Sequence, residues 1–307
     1  MRSACTSTFK PWAAGLAASC LAVTLGLGAS AAAATPAAAA SRVTYIGAYA
    51  GSVSNWNNTA YPDIGPLQTD KEFNTKTSEA LPPSFAKSQC AGLRHNPVCI
   101  INYKTPDTNL KSYVQSVPPG RNLVIMVFHG EPELHKAFPT GAAFTTLFED
   151  QAKKIKTYAN QKGLTNVKVA MDAGTSGYKQ GAQGYDCSYI PPASDVNYYL
   201  ADVYEHTLTT LAGLPWFQRW NHCTAGKGVP RGLAEYGLDV CKGATEADRT
   251  ATLGDDAAYL AKNFPNLAIW NYWWADTHAG VCHDPKFRAG SPTATEWRKI
   301  EAGTVPS

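Results

Sequence analysis

Eight short runs of apolar or β-branched residues, with helix-like stretches between them, constrain this chain more than any other feature. They lie at Val43–Ala50, near Lys71–Asn74, and at Val98–Tyr103, Leu123–Phe128, Val167–Asp172, Tyr198–Tyr204, Arg231–Tyr236 and Leu267–Trp273, the second being the weakest. Strands that alternate with helices build a parallel sheet covered by helices. Eight such units in roughly 270 residues fit one closed barrel. The expected fold class is therefore α/β, a single (β/α)8 barrel over residues 41–307 with disulfide-braced loops. The helical signal is clearest over Thr145–Gln161, where Phe144, Leu147, Phe148 and Ile155 share a face and Gly163 follows the end. A second helix is predicted from Thr245, within a Thr-Glu-Ala-Asp capping pattern, to Ala261, and a last one over Thr293–Ala302. Long loops over 51–68 and 174–195 are rich in Gly, Asn, Pro and Tyr, as suits the ligand-gripping face of a barrel.

The first 40 residues read as a separate segment. Basic residues Arg2 and Lys10 precede an apolar run, Ala13 to Leu27, and small residues with several Ala-x-Ala choices follow to Ala40. This is the pattern of a secretory signal peptide, so a secreted chain with no membrane association after cleavage is expected. Gly15, Ser19, Cys20 and Gly26 interrupt the run, and no basic cluster follows it, which argues against an anchor. Apolar residues continue beyond Cys20, whereas a lipid-modified cysteine would close the apolar region. The net charge of +3 includes Arg2 and Lys10, and without them it falls near +1 with the basic residues scattered. Nucleic acid and acidic membranes are not expected partners.

Of the 8 cysteines, Cys5 and Cys20 fall in the leader, leaving Cys90, Cys99, Cys187, Cys223, Cys241 and Cys282. An even number in an exported chain predicts disulfides. Barrel order suggests Cys90 with Cys99, which bracket a short loop before the third strand. It also suggests Cys241 with Cys282, which follow the last two strands, and Cys187 with Cys223 as the remainder. CxxC spacing and calcium-loop spacing are absent, so neither a metal nor a cofactor is expected. Asn57-Asn58-Thr59 is formally an N-glycosylation acceptor and is given no role.

Two glutamates stand where predicted strands stop. Glu131 follows Leu123–Phe128 in His129-Gly130-Glu131-Pro132-Glu133, and Glu235 lies in Gly232-Leu233-Ala234-Glu235-Tyr236-Gly237. The C-terminal ends of barrel strands converge on one face, and two facing carboxylates are the machinery of glycoside hydrolysis. Asp172 and Asp202 also end strands, and each fits either a site role or a structural hydrogen bond. A different register would let Asp172 compete for the catalytic role. Glu235 within an apolar strand needs a partner, and Arg231 or Arg219 would provide a structural ion pair. His129 fits either a site or a satisfied core position. Aromatic residues are frequent in the loops and at strand ends, where flat sugar faces stack on rings. Trp270 and Trp273 point to opposite faces of one strand, so only one can floor a site.

The His-Glu-like end of the fourth strand, Ala234-Glu235-Tyr236-Gly237 on the seventh and the Trp-rich eighth resemble retaining glycoside hydrolases of the Glu/Glu barrel clan. Within that clan Leu81-Pro82-Pro83-Ser84-Phe85 and Ile100-Ile101-Asn102-Tyr103-Lys104 resemble family 26, the β-mannanase family, and related actinobacterial secreted proteins. The resemblance implies a secreted monomer that cleaves a β-linked polysaccharide, mannan being the first choice. Glu131 would be the general acid/base and Glu235 the nucleophile, with Tyr204 hydrogen-bonded to Glu235, His129 positioning the acid, and Trp270 or Trp273 flooring the subsite. Gly130 departs from the family, where His is followed directly by Glu. Either a bulge absorbs the glycine and Glu131 keeps its role, the preferred reading, or Glu133 takes it. The alternative is a non-catalytic carbohydrate-binding or cell-wall-associated barrel with a displaced acid. A peptidoglycan-directed lysozyme-like barrel is a further rival.

Overall fold

The computed structural model describes residues 43–73, 80–106, 108–132, 138–174, 187–205, 207–240, 244–274 and 288–303. Its strands are β1 (Tyr45–Tyr49), β2 (Thr69–Phe73), β3 (Val98–Tyr103), β4 (Val124–Phe128), β5 (Val167–Gly174), β6 (Tyr198–Glu205), β7 (Arg231–Leu238) and β8 (Leu267–Trp273). Each pairs in parallel with the next and β8 pairs with β1, closing the predicted barrel. β1 starts two residues later than expected and β5 and β7 end two residues later, while β2 starts two residues earlier, because four polar residues, Thr69, Asp70, Lys71 and Glu72, form most of it and hide its start.

Helices cover the outside. The longest, α4 (Gly141–Gln161), begins four residues before the expected start, where the Thr140 hydroxyl accepts from the Ala143 N–H. The Thr245 capping box opens α6 (Glu246–Asn263), and α7 (Pro292–Glu301) packs beside β8. Three shorter helical regions were not signalled by periodicity. These are α1 (Val53–Asn55) running through a π turn into α2 (Tyr61–Ile64), then α3 (Leu110–Gln115), then α5 (Pro215–Thr224). Between β2 and β3 the described chain forms only short 3-10 turns, Phe85–Lys87 and Gln89–Gly92, braced by the Cys90–Cys99 disulfide. A second disulfide, Cys187–Cys223, ties the turn before β6 to α5. Cys241 and Cys282 lie outside the described residues.

Alternation along the strands sorts two cores. Ile101, Met126, Met171, Tyr199 and Leu233 pack outward under the helices, while Val98, Ile100, Ile125, Val127, Ala170 and Leu200 fill the barrel interior. Above that apolar plug, toward the C-terminal strand ends, the interior turns polar, with Lys71, Asn102, Asp172, Asp202, Glu235 and Asn271 all buried. No helix among the described residues is long and apolar enough to cross a membrane.

Candidate active site

Both glutamates reach the barrel mouth through a one-residue irregularity. On β7, Leu233 pairs with Ala201 and Glu235 with Asp202, so Ala234 is an extra residue. Leu233 and Tyr236 lie in the outer core and Ala234 in the inner one, which breaks strict alternation and turns Glu235 inward. At the start of β4 the N–H of Val124 donates to the Asn166 carbonyl and beyond its end that of Glu131 donates to the Asp172 carbonyl, so seven residues on one side span six on the other. The extra residue is taken up at His129-Gly130-Glu131, where His129 (φ 54°) and Glu131 (φ 55°) are both left-handed. Gly130 itself has no room for a side chain, since a Cβ there would lie 2.5 Å from Asn102 Nδ2. Its N–H donates instead to Asn102 Oδ1 at 3.0 Å, and β3 thereby fixes the turn. Glu133 lies outside the described residues.

The centre of the site is Lys71 on β2, which has no solvent exposure. Its Nζ lies 2.6 Å from Asp172 Oδ2, 2.8 Å from Asp202 Oδ2 and 2.7 Å from Glu235 Oε1. These carboxylates raise the Lys71 pKa, overcoming the effect of burial, so the ammonium is retained. The other oxygen of Glu235, Oε2, accepts from the Tyr204 hydroxyl. Tyr204 is the last residue but one of β6, and its ring lies over Gly237, where a Cβ would come within 2.8 Å of it. Burial and the Glu235 charge hold the phenol well above its ordinary pKa, so it remains a donor. Glu131 is half-buried at the rim. Burial first and Glu235 second push its pKa up to about 8.

The two eighth-strand tryptophans separate as alternation requires. Trp270 faces outward and packs edge-on against Tyr236 and against Trp297 of α7, so the expectation that it contacts substrate is corrected. Trp273 faces the mouth among Tyr49 (4.3 Å between centroids), Tyr204 (5.7 Å) and Phe73 (5.9 Å). His129 is buried, donates its backbone N–H to the Tyr103 carbonyl and packs edge-on against Phe138. Asp172 and Asp202 do gather at the site, buried beneath it in hydrogen bonds with Lys71, which fits the structural one of their two readings. The partner of Glu235 is Lys71 and not an arginine. The Arg231 guanidinium lies 4.2 Å over the Phe264 ring and donates to Asn221.

Lys71 and Asn102 are the residues that sequence reading missed. The available signal was composition, because barrel strands are usually near-continuous apolar runs. A strand reading Thr-Asp-Lys-Glu-Phe must place charge inside the barrel, against the helices, or both. No group of three or more His, Cys, Asp or Glu side chains among the described residues is arranged to hold a metal.

A closed parallel barrel thus carries carboxylates from β5, β6, β7 and the β4 terminus at one mouth. Solved structures are similar to it in fold. The modular endo-β-1,4-mannanase of Cellulomonas fimi, described among glycoside hydrolase family 26 mannanases, matches with a TM-score of 0.51 at 12% identity, over 86% of this chain and 74% of that one. XacCel5A, solved with cellopentaose, matches at 0.52 and 15% identity over 84% and 99%. A family 128 endo-β-1,3-glucanase from Amycolatopsis mediterranei, solved with laminaripentaose, gives 0.49 and 12% over 84% and 99%. No protein-family model matches the chain, and no curated protein matches it in sequence.

Proposed function

We propose that the protein is a retaining glycoside hydrolase acting on a β-linked polysaccharide, with Glu235 as nucleophile and Glu131 as acid/base. The observation that carries this reading is the unequal setting of two carboxyls at one barrel mouth. Glu131, with its pKa raised to about 8, keeps a proton near neutrality, while Glu235 meets an ammonium and a phenol, two donors suited to a carboxylate. In the first step Glu131 gives its proton to the glycosidic oxygen, the C–O bond breaks, and a Glu235 oxygen bonds the anomeric carbon. In the second Glu131 takes a proton from water, whose oxygen displaces Glu235. Trp273 is the ring placed to stack on the sugar. Mannan is the first substrate to try, on the resemblance of Leu81–Phe85 and Ile100–Lys104 to family 26.

We also propose export by cleavage of residues 1–40. The leader pattern supports this, as do two disulfides of a kind that persists in oxidising compartments.

Reducing-end release on mannan, glucan, xylan and peptidoglycan tests the reading, run with wild type, Glu235→Ala, Glu131→Gln and Glu133→Gln. Activity on one polymer that both Glu235→Ala and Glu131→Gln abolish is the expected result. Loss in Glu133→Gln but not Glu131→Gln would move the acid role. A wild type that binds a polymer without cutting any would favour a carbohydrate-binding barrel.

A further inference from the structure

Gly130 gives the turn before Glu131 no side chain, and the space beside it belongs to Asn102 of β3. The atom closest to where a Cβ of Gly130 would stand is Asn102 Nδ2, at 2.5 Å, and Asp172 Oδ2 is 3.3 Å from the same point. Asn102 faces inward, two residues after Ile100 of the barrel interior, and pairs in register with Phe73. Phe73 in turn packs edge-on against Trp273, the ring at the mouth. The amide therefore stands in the layer where a sugar would lie.

The two ends of this amide are used unequally. Oδ1 accepts from the Gly130 N–H at 3.0 Å, which settles which way round the amide sits. Nδ2 donates to no acceptor among the described residues. The neighbouring carboxylate oxygen, Asp172 Oδ2, accepts from Lys71 Nζ at 2.6 Å instead. Asn102 is only 4% exposed, and a buried polar group left unpaired in a native fold calls for a partner from outside the chain.

We propose that Asn102 is a substrate-binding residue whose Nδ2 donates to the 2-hydroxyl of the sugar being cleaved. The proposal rests on the glycosidase reading and adds a contact to it. Glu131 follows Gly130 directly, so a donor beside Gly130 lies next to the group that serves the glycosidic oxygen on the anomeric carbon. Of the ring atoms bonded to that carbon, the ring oxygen and C2, only C2 carries a hydroxyl. Hydrogen bonds to this hydroxyl strengthen toward the transition state, so the contact acts on kcat as well as on KM. Gly130 is then needed for room as much as for its turn, because a side chain there would displace the amide.

Two measurements test this. The first reads binding without turnover, in the 15N-labelled full-length chain carrying Glu235→Gln to keep the sugars intact. The Asn102 side-chain NH2 pair, identified by its loss in Asn102→Asp, is followed as mannohexaose, cellohexaose and laminarihexaose are added in turn. A shift of that pair with one of them is expected, and a pair that none of them moves overturns the proposal. A pair that shifts in a chain whose wild type releases no reducing ends contradicts the glycosidase reading and leaves the sugar contact standing. The second compares kcat/KM on dinitrophenyl β-mannoside, β-glucoside and the 2-deoxy glycoside that is the counterpart of both. Asn102→Asp, which keeps an oxygen for the Gly130 N–H, and Asn102→Ala are each expected to lose about 10²-fold on the hydroxylated substrate and far less on the 2-deoxy one. Equal losses on the two kinds of substrate would show a damaged turn in place of a lost contact, and would overturn the proposal.

Discussion

At the scale of single residues, the outcome depends on where one proton sits and how one turn is held. In the proposed acid role Glu131 must be protonated to serve a leaving group, so kcat/KM is expected to fall as pH rises through about 8. A pH–rate profile with no alkaline limb in that region would separate the residue from the acid role. The turn that carries it depends on Gly130. An added methyl would lie 2.5 Å from Asn102 Nδ2, so Gly130→Ala must shift Asn102 or the turn. A displacement near 1 Å typically costs on the order of 10²-fold in rate. The expected result is that loss in kcat with a near-normal melting temperature.

At the scale of elements, β2 and β8 each divide work between their two faces. Lys71→Met leaves three buried carboxyls without their cation, and breaking such a cluster typically costs about 3–5 kcal/mol, read by urea denaturation. On β8, Trp270→Ala is expected to lose about 3–5 kcal/mol of stability through the cavity left against Trp297. Trp273→Ala should instead raise KM, and a Trp270→Ala variant that weakened sugar binding while keeping full stability would contradict this division. Most elements were legible in the chain itself. Leu123–Phe128 and Leu267–Trp273 are apolar enough to mark buried strands, and Thr245 with Asp248 marks the start of α6. The shorter helices α3 and α5 were not, because fewer than three turns give periodicity too little length to register. Lys71 escaped notice for a related reason. Its strand carries polar residues on both faces, and only closure of the barrel brings Asp172, Asp202 and Glu235 around it from 101 or more residues away.

At the scale of the molecule, several buried carboxyls bind protons more tightly in the folded chain than in the unfolded one. Glu72 and Glu301 are raised to about 8 and Asp256 to about 7, burial being the first cause in each. A raised folded-state value means stability is complete below the ordinary carboxylate range, about 4.3 for Glu and 3.9 for Asp, and is lost as pH rises through the raised value. The melting temperature should therefore be highest under mildly acidic conditions and decline toward pH 8. A curve rising across that window would show that other groups dominate. The spare residues on β4 and β7 matter at this scale as well. A closed ring of strands has no free edge at which a change of length can be absorbed, so Ala234 acts as a spacer whose value lies in being counted. Deleting it, with every chemical group retained, would return β7 to plain alternation and rotate Glu235 toward the helices. The site is thus encoded partly in chain length, and a homologue that differed by one such spacer would keep every reactive residue in its sequence and still be inert.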